Sequence, residues 1–240
     1  GHEGDISFNR RYWMKDGTLE TNPGFNNPNI EKPAGPIDPE VTVVRIDDLD
    51  DNPIGVVVNF ACHTDTVGGT EYCADYPGEM SRMVKKVLGS DVVSLFMIGA
   101  CGDINHHNFM QDKTPKRQKY DVMGRVLAAE VLKVREKIQC VDTIEIACTR
   151  TTHRLELRRP TKEEVEAAEQ RLQTEKNPIE RFFAEHILKA DQATEHTEIA
   201  EIQVFRVGDW AVVGLPGEIF VSFGLELKKQ SPFSQTIVNT

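Results

Sequence analysis

The sequence predicts an α/β fold in which a mixed β-sheet core carries flanking helices and presents its site at the strand ends. Three observations predict it. Val41–Ile46, Ile54–Phe60 and Val92–Ile98 are β-branched apolar runs, the last two of the kind found in strands covered on both faces. Segments with apolar residues at helical spacing alternate with these runs, as at Met80, Met83, Val84, Val87 and Leu88. Polar clusters follow the runs: His63-Thr-Asp65, Gly102-Asp-Ile-Asn-His-His107 and Pro216-Gly-Glu218. Sheet proteins commonly place their chemistry beyond strand ends.

Taken in order, residues 17–40 hold five prolines and three glycines without periodicity and read as a long ordered loop. The runs at 41–46 and 54–60 flank Asp47–Pro53, a hairpin signal. A helix is expected over Glu79–Leu88, opened by Pro77-Gly78 and stopped by Gly89. After the strand at 92–98 and the tight turn at 99–107, a helix is expected from about Lys116 to Lys137, with Val122, Val126, Ala129 and Leu132 on one side. A strand follows over 142–157. Pro160 and Thr161-Lys-Glu-Glu then open a charged helical stretch to about residue 190, broken at Asn177-Pro178. A hairpin over 198–207 and 210–215 leads into a helix expected from Pro216 through Lys229. The organisation is that of one catalytic-type domain over 1–240, cut at both ends, with a peripheral helical insertion at about 160–192.

Composition excludes several classes. A formal charge of −10 argues against a nucleic-acid partner, which clustered Lys and Arg would have to meet. The basic run Lys113–Lys119 is short and reads as solvated loop. No apolar run approaches the roughly 20 residues of a membrane span. Cysteines 62, 73, 101, 140 and 148 form neither a disulfide framework nor a CxxC zinc pattern. The start shows no leader pattern, and Gly1-His2 is consistent with an added remnant.

The strand-end clusters carry residue types that suit zinc, which takes imidazole and carboxylate ligands and in catalytic sites about three from the protein. His63 and Glu218 are the candidates. Each also has a plain reading: a hydrogen-bonding loop histidine, and an acid favoured by the dipole of a helix's first turn. Asp65 and Asp75 also read as turn residues, Asp103 as a satisfier of backbone donors, and His106-His107 as a solvated pair. Cys101 offers a nucleophile with a nearby His as base, against the reading of a small buried hydrophobe.

Four blocks, in order, resemble the N-terminal catalytic domain of the neutral/alkaline non-lysosomal ceramidase family. They are Phe8-Asn-Arg-Arg11; Asn59-Phe-Ala-Cys-His63-Thr-Asp-Thr with Ala74-Asp75-Tyr-Pro-Gly78; Gly99-Ala-Cys-Gly-Asp103-Ile-Asn105-His106; and Leu215-Pro-Gly-Glu218. The resemblance implies a zinc-dependent hydrolase of an N-acyl amide or related acyl bond, using metal-activated water, with His63 and Glu218 on the metal. It places the family's other ligands, a His and a Tyr, upstream and downstream of this sequence. It implies that Arg10 contacts substrate, and a periplasmic or secreted location. The family's Gly-Asp-Val-Ser-Pro-Asn block has a serine where this chain has Asn105, which can hydrogen-bond substrate but is no nucleophile. The sequence resembles a divergent bacterial-type branch, in which His106 or Asp75 is expected to assist proton transfer. The rival expectation is a non-catalytic ligand-binding module derived from the hydrolase fold.

Overall fold

In the computed structural model, which describes residues 1–111 and 119–240, those residues form four sheets and five helices of mixed α/β architecture. The first elements are short: β1 (Phe8–Asn9), β2 (Arg11–Met14), β3 (Leu19–Thr21) and β4 (Ile30–Pro33). β2 pairs antiparallel with both β3 and β4, with a register shift between Trp13 and Met14. The stretch expected to be loop therefore holds two strands. They are three and four residues long, and both lie at sheet edges, where a proline such as Pro33 is tolerated.

β5 (Thr42–Asp47) and β6 (Pro53–Phe60) form the expected hairpin, closed by Asp48, whose Oδ1 accepts from the N–H groups of Asp50 and Asn52. α1 (Asp75–Leu88) then connects β6 to β7 (Val93–Ile98), which runs parallel to it. α1 begins one turn ahead of the expected Glu79, because Pro77 is accommodated in a helix's first turn. Central β6 buries Val56, Val58 and Phe60 almost completely. β7, expected to be covered on both faces, is an edge of the order β5-β6-β7 and leaves Val93 and Leu95 about half exposed, at 52% and 55%.

β8 (Ile104–Asn105) pairs antiparallel with β1, and α2 (Tyr120–Arg135) packs on α1. Residues 116–118 of the expected second helix lie outside the described residues, as does the basic run except for Lys119. Tyr76, Met80 and Val84 of α1 join Met123, Leu127 and Val131 of α2 in one core with β6. Each fully buried apolar side chain of this kind contributes about 1.5–3 kcal/mol. That core fixes the end of β6, from which His63 projects.

The remaining elements are β9 (Ile146–Glu156), α3 (Lys162–Thr174), α4 (Pro178–Gln192), β10 (Thr197–Val207), β11 (Trp210–Gly214), α5 (Val221–Gln230) and β12 (Gln235–Asn239). The chain divides into two compact units, Gly1–Thr149 with Gln203–Thr240, and Arg150–Ile202. In the second, a capping box between Thr161 and Glu164 starts α3, and Asn177 caps α4 ahead of Pro178. In the first, β10 and β11 pair antiparallel while β11 and β12 pair parallel across α5. α5 starts at Val221 rather than Pro216. Gly217 turns the chain at φ 89°, and Phe220 is still extended. No helix among the described residues is long and apolar enough to cross a membrane.

Candidate active site

The turn 101–104 is where the site is assembled. Arg10 follows β1, and its backbone N–H donates to the Asp103 carbonyl at 2.7 Å. The Arg10 guanidinium donates from Nε and Nη2 to the Gly102 carbonyl, at 3.1 and 2.6 Å. Gly102 N–H donates to the Ile219 carbonyl, and the Asp103 carboxylate accepts from Val221 N–H and from Asn9 Nδ2. The His63 N–H donates to the Ile104 carbonyl at 3.2 Å. Three distant segments are thus tied to one turn. A glycine is required at 102, since a Cβ there would collide with the Glu218 carbonyl. Arg11 adds a cation–π contact, 4.9 Å above Phe220, to the same junction.

These ties bring His63, Glu218 and Arg10 together. Glu218 Oε2 lies 3.4 Å from His63 Nε2 and 3.2 Å from Arg10 Nη2. Because Glu218 precedes α5 in non-helical backbone, its position is not that of a first-turn acid, and the helix-dipole account of it does not apply. His63 and Glu218 line a cavity of about 380 Å³ with Thr64, Asp65, Ile98, Cys101, Gly217 and Thr240. The far wall is fixed by Thr240, whose N–H and hydroxyl donate to the carbonyls of Ile98 and Gly99.

His106 enters through Asp65. Its Nδ1 lies 3.0 Å from Asp65 Oδ1, and since an ionised carboxylate only accepts, Nδ1 carries the proton. Burial would raise the Asp65 carboxyl, but the His106 hydrogen bond and the charges of His106, His63 and Arg10 outweigh it and leave it below the ordinary carboxylate range. His107, stacked against His106, is held below the usual imidazole value by burial and by that neighbour. Asp65, read from sequence as a turn residue, is therefore a cavity residue. Its place two residues after His63, in the same strand-end cluster, was the available signal.

Asn105 and Asp75 are placed differently. Asn105 is 1% exposed, donating from Nδ2 to Asn22 Oδ1 and accepting at Oδ1 from His107 N–H. Asp75, at a left-handed φ of 50°, accepts from the N–H groups of Thr66, Val67 and Tyr76 and from the Thr66 hydroxyl. Tyr76 donates to the Cys62 carbonyl at 2.6 Å, so the start of α1 clamps the His63 segment on both sides. Burial pushes the Cys101 thiol up to about 12, which keeps it protonated near neutral pH and removes the thiolate a nucleophile needs.

The spacing of His63 and Glu218 suits two ligands of one zinc ion. Two ligands of one tetrahedral ion, on bonds of about 2.0 Å, stand about 3.3 Å apart, close to the 3.4 Å between His63 Nε2 and Glu218 Oε2. His63 Nδ1 is buried without a hydrogen-bond partner among the described residues. Among the described residues no group of three or more His, Cys, Asp and Glu is placed to share an ion.

No family model and no curated protein matches the chain. Among solved structures it is similar to neutral ceramidase from Pseudomonas aeruginosa, with a TM-score of 0.59 and 17% identity over 95% of this chain and 41% of that one. A structure described as ceramidase complexed with C2 matches with a TM-score of 0.59 and 14% identity, over 100% of this chain and 45% of that one. The fold is ceramidase-like. The chain spans less than half the length of these structures, and identities this low speak to the fold alone.

Proposed function

We propose that this chain is part of a zinc-dependent hydrolase of an amide (N-acyl) or related acyl bond, in the neutral/alkaline ceramidase family. The observation that carries the reading is the convergence of His63 Nε2 and Arg10 Nη2 on one oxygen of Glu218 at the edge of a 380 Å³ cavity. His63 and Glu218 hold the metal. Bound zinc supplies Lewis acidity, which makes water a nucleophile near neutral pH. Further ligands come from outside these residues, where the sequence resemblance puts a His and a Tyr.

Arg10 holds its orientation by donating to Gly102, which leaves its Nη1 donors for the acyl oxygen on which negative charge grows. A preorganised donor of this kind contributes about 2.7–4 kcal/mol to an acyl-transfer barrier. His106 assists proton movement through Asp65. Asp75 and Asn105, whose polar atoms are engaged within the protein, hold the segments that follow His63 and His106 rather than react. The substrate is a small-molecule or lipid N-acyl compound, and a secreted or periplasmic location rests on the resemblance.

A second reading has one observation in its favour. Asn105 replaces the family's serine and is buried with its amide bonded at both ends, as a binding module that had lost its chemistry would allow. Turnover decides between them. Release of fatty acid from N-acyl amides by the full-length zinc-loaded protein, abolished by Glu218→Ala, supports the hydrolase; tight amide binding without turnover supports the module.

A further inference from the structure

Asn22 follows β3 and precedes Pro23, in left-handed backbone with φ 53°. A residue ahead of proline is pushed toward extended backbone, and few residues other than glycine are left-handed, so this conformation is strained. Strain of this kind persists only where surrounding bonds over-determine it, and it clusters at functional sites. The bonds are on hand. The Asn22 N–H donates to the Arg10 carbonyl at 2.8 Å, and its Oδ1 accepts from Asn105 Nδ2 at 3.0 Å. One exposed loop residue thus grips two separate segments.

Both segments carry groups of the proposed reaction. Asp103 holds the Arg10 main chain on its other side, accepting from its N–H at 2.7 Å, so Asn22 completes the fixing of the residue whose guanidinium reaches Glu218 at 3.2 Å. Asn105 is 1% exposed, and its Oδ1 accepts from the His107 N–H. The other end of that amide, Nδ2, can only donate, and Asn22 Oδ1 is the acceptor that meets it. Next in the chain comes His106, whose Nδ1 donates to Asp65. β1 and β8 pair over two residues only, Phe8 with Asn105 and Asn9 with Ile104, so bonds beyond this short ladder are needed to fix Arg10 against His106. The amide that stands where the resembled family has serine is thus a strut to the loop.

We infer that Asn22, outside the cavity lining, is a positioning residue that sets Arg10 against the His106–Asp65 pair. This rests on the hydrolase reading above. The test measures kcat and KM of the full-length, zinc-loaded protein on N-octanoylethanolamine. Asn22→Gly takes the left-handed backbone without strain and keeps the N–H for Arg10, but removes the acceptor for Asn105. It is expected to lower kcat at least about tenfold with KM within about twofold of the parent, since slightly displaced reacting groups lose rate rather than ground-state binding. Asn22→Asp keeps an acceptor and tolerates the backbone, and is expected to hold kcat within about threefold of the parent. Asn105→Ala removes the other end of the bond; it should lower kcat as Asn22→Gly does, and the double variant should fall no further than the lower single one. Parental kcat in Asn22→Gly, an equal loss in Asn22→Asp, or losses that multiply in the double variant overturn the role of Asn22 and leave the hydrolase reading standing. No hydrolysis by the parent overturns the hydrolase reading itself, and this inference with it.

Discussion

Glu218 Oε2 stands 3.4 Å from His63 Nε2, although one residue follows the end of β6 and the other precedes α5. Neither segment reaches the other by local structure. Both are bonded to the turn 101–104, the His63 N–H to Ile104 and Ile219 to Gly102, and that turn sets the spacing of the pair.

Arg10 is the first place to test the site. Its guanidinium grips the Gly102 carbonyl with two donors while also reaching Glu218, a fork that lysine cannot reproduce. Arg10→Lys is expected to lower kcat/KM on N-acyl amides by about 10²–10³-fold. Its urea unfolding midpoint should fall as well, since the fork to Gly102 helps hold the turn.

Gly102 is the second. Any side chain there meets the Glu218 carbonyl, so backbone must move, and overpacking of this kind costs about 1–3 kcal/mol. Gly102→Ala should lower the thermal midpoint and weaken zinc binding together. Zinc affinity kept at the parental value would show that Glu218 is not positioned through this turn.

Asp75 separates conformation from hydrogen bonding. Asn tolerates the left-handed φ of 50° but offers one acceptor oxygen where the carboxylate serves four donors; Ala loses both features. Asp75→Ala is expected to destabilise by about 2–4 kcal/mol and Asp75→Asn by roughly half as much, read by chemical denaturation.

A pH dependence follows from Lys228, whose Nζ donates to Asp38 at 2.7 Å and to Glu40 at 2.6 Å. Burial would lower this lysine, but the two carboxylates outweigh burial and raise it above the ordinary lysine value. A raised folded value means that the lysine's contribution is whole below the unfolded value, about 10.4, and is lost as pH climbs through the folded one. Burial would raise Glu40, yet Lys228 and Gln235 depress it, so its share is whole above about pH 4.3 and is lost as pH falls through the depressed value. Lys228→Met should cost about 3 kcal/mol at pH 7, and its deficit against the parent should shrink as pH climbs through the raised Lys228 value.

Much of the fold is legible in the sequence because β-branched runs and capped helices announce themselves locally. Asp48 closes the hairpin and Thr161 with Glu164 starts α3 as their residue types imply. What the sequence hides is pairing over distance. β1 and β8 are two residues each, too short for any periodicity, yet their pairing delivers Arg10 to Gly102. Pro-Gly-Glu has the residue types of a helix opening, whereas a φ of 89° at Gly217 delays the start of α5 to Val221. Asp65 looked like a turn residue because the partner that gives it a role, His106, lies on another strand's end.

The central claim is that His63 and Glu218 share a metal ion. Zinc titration of the metal-stripped full-length protein, alongside His63→Ala and Glu218→Gln, tests it most directly. One zinc per chain is expected in the parent. Each variant should bind more than about 100-fold more weakly, since loss of an outer-shell partner alone costs about 10–100-fold. Parental affinity in either variant, or a parent that takes up no zinc, would contradict the account.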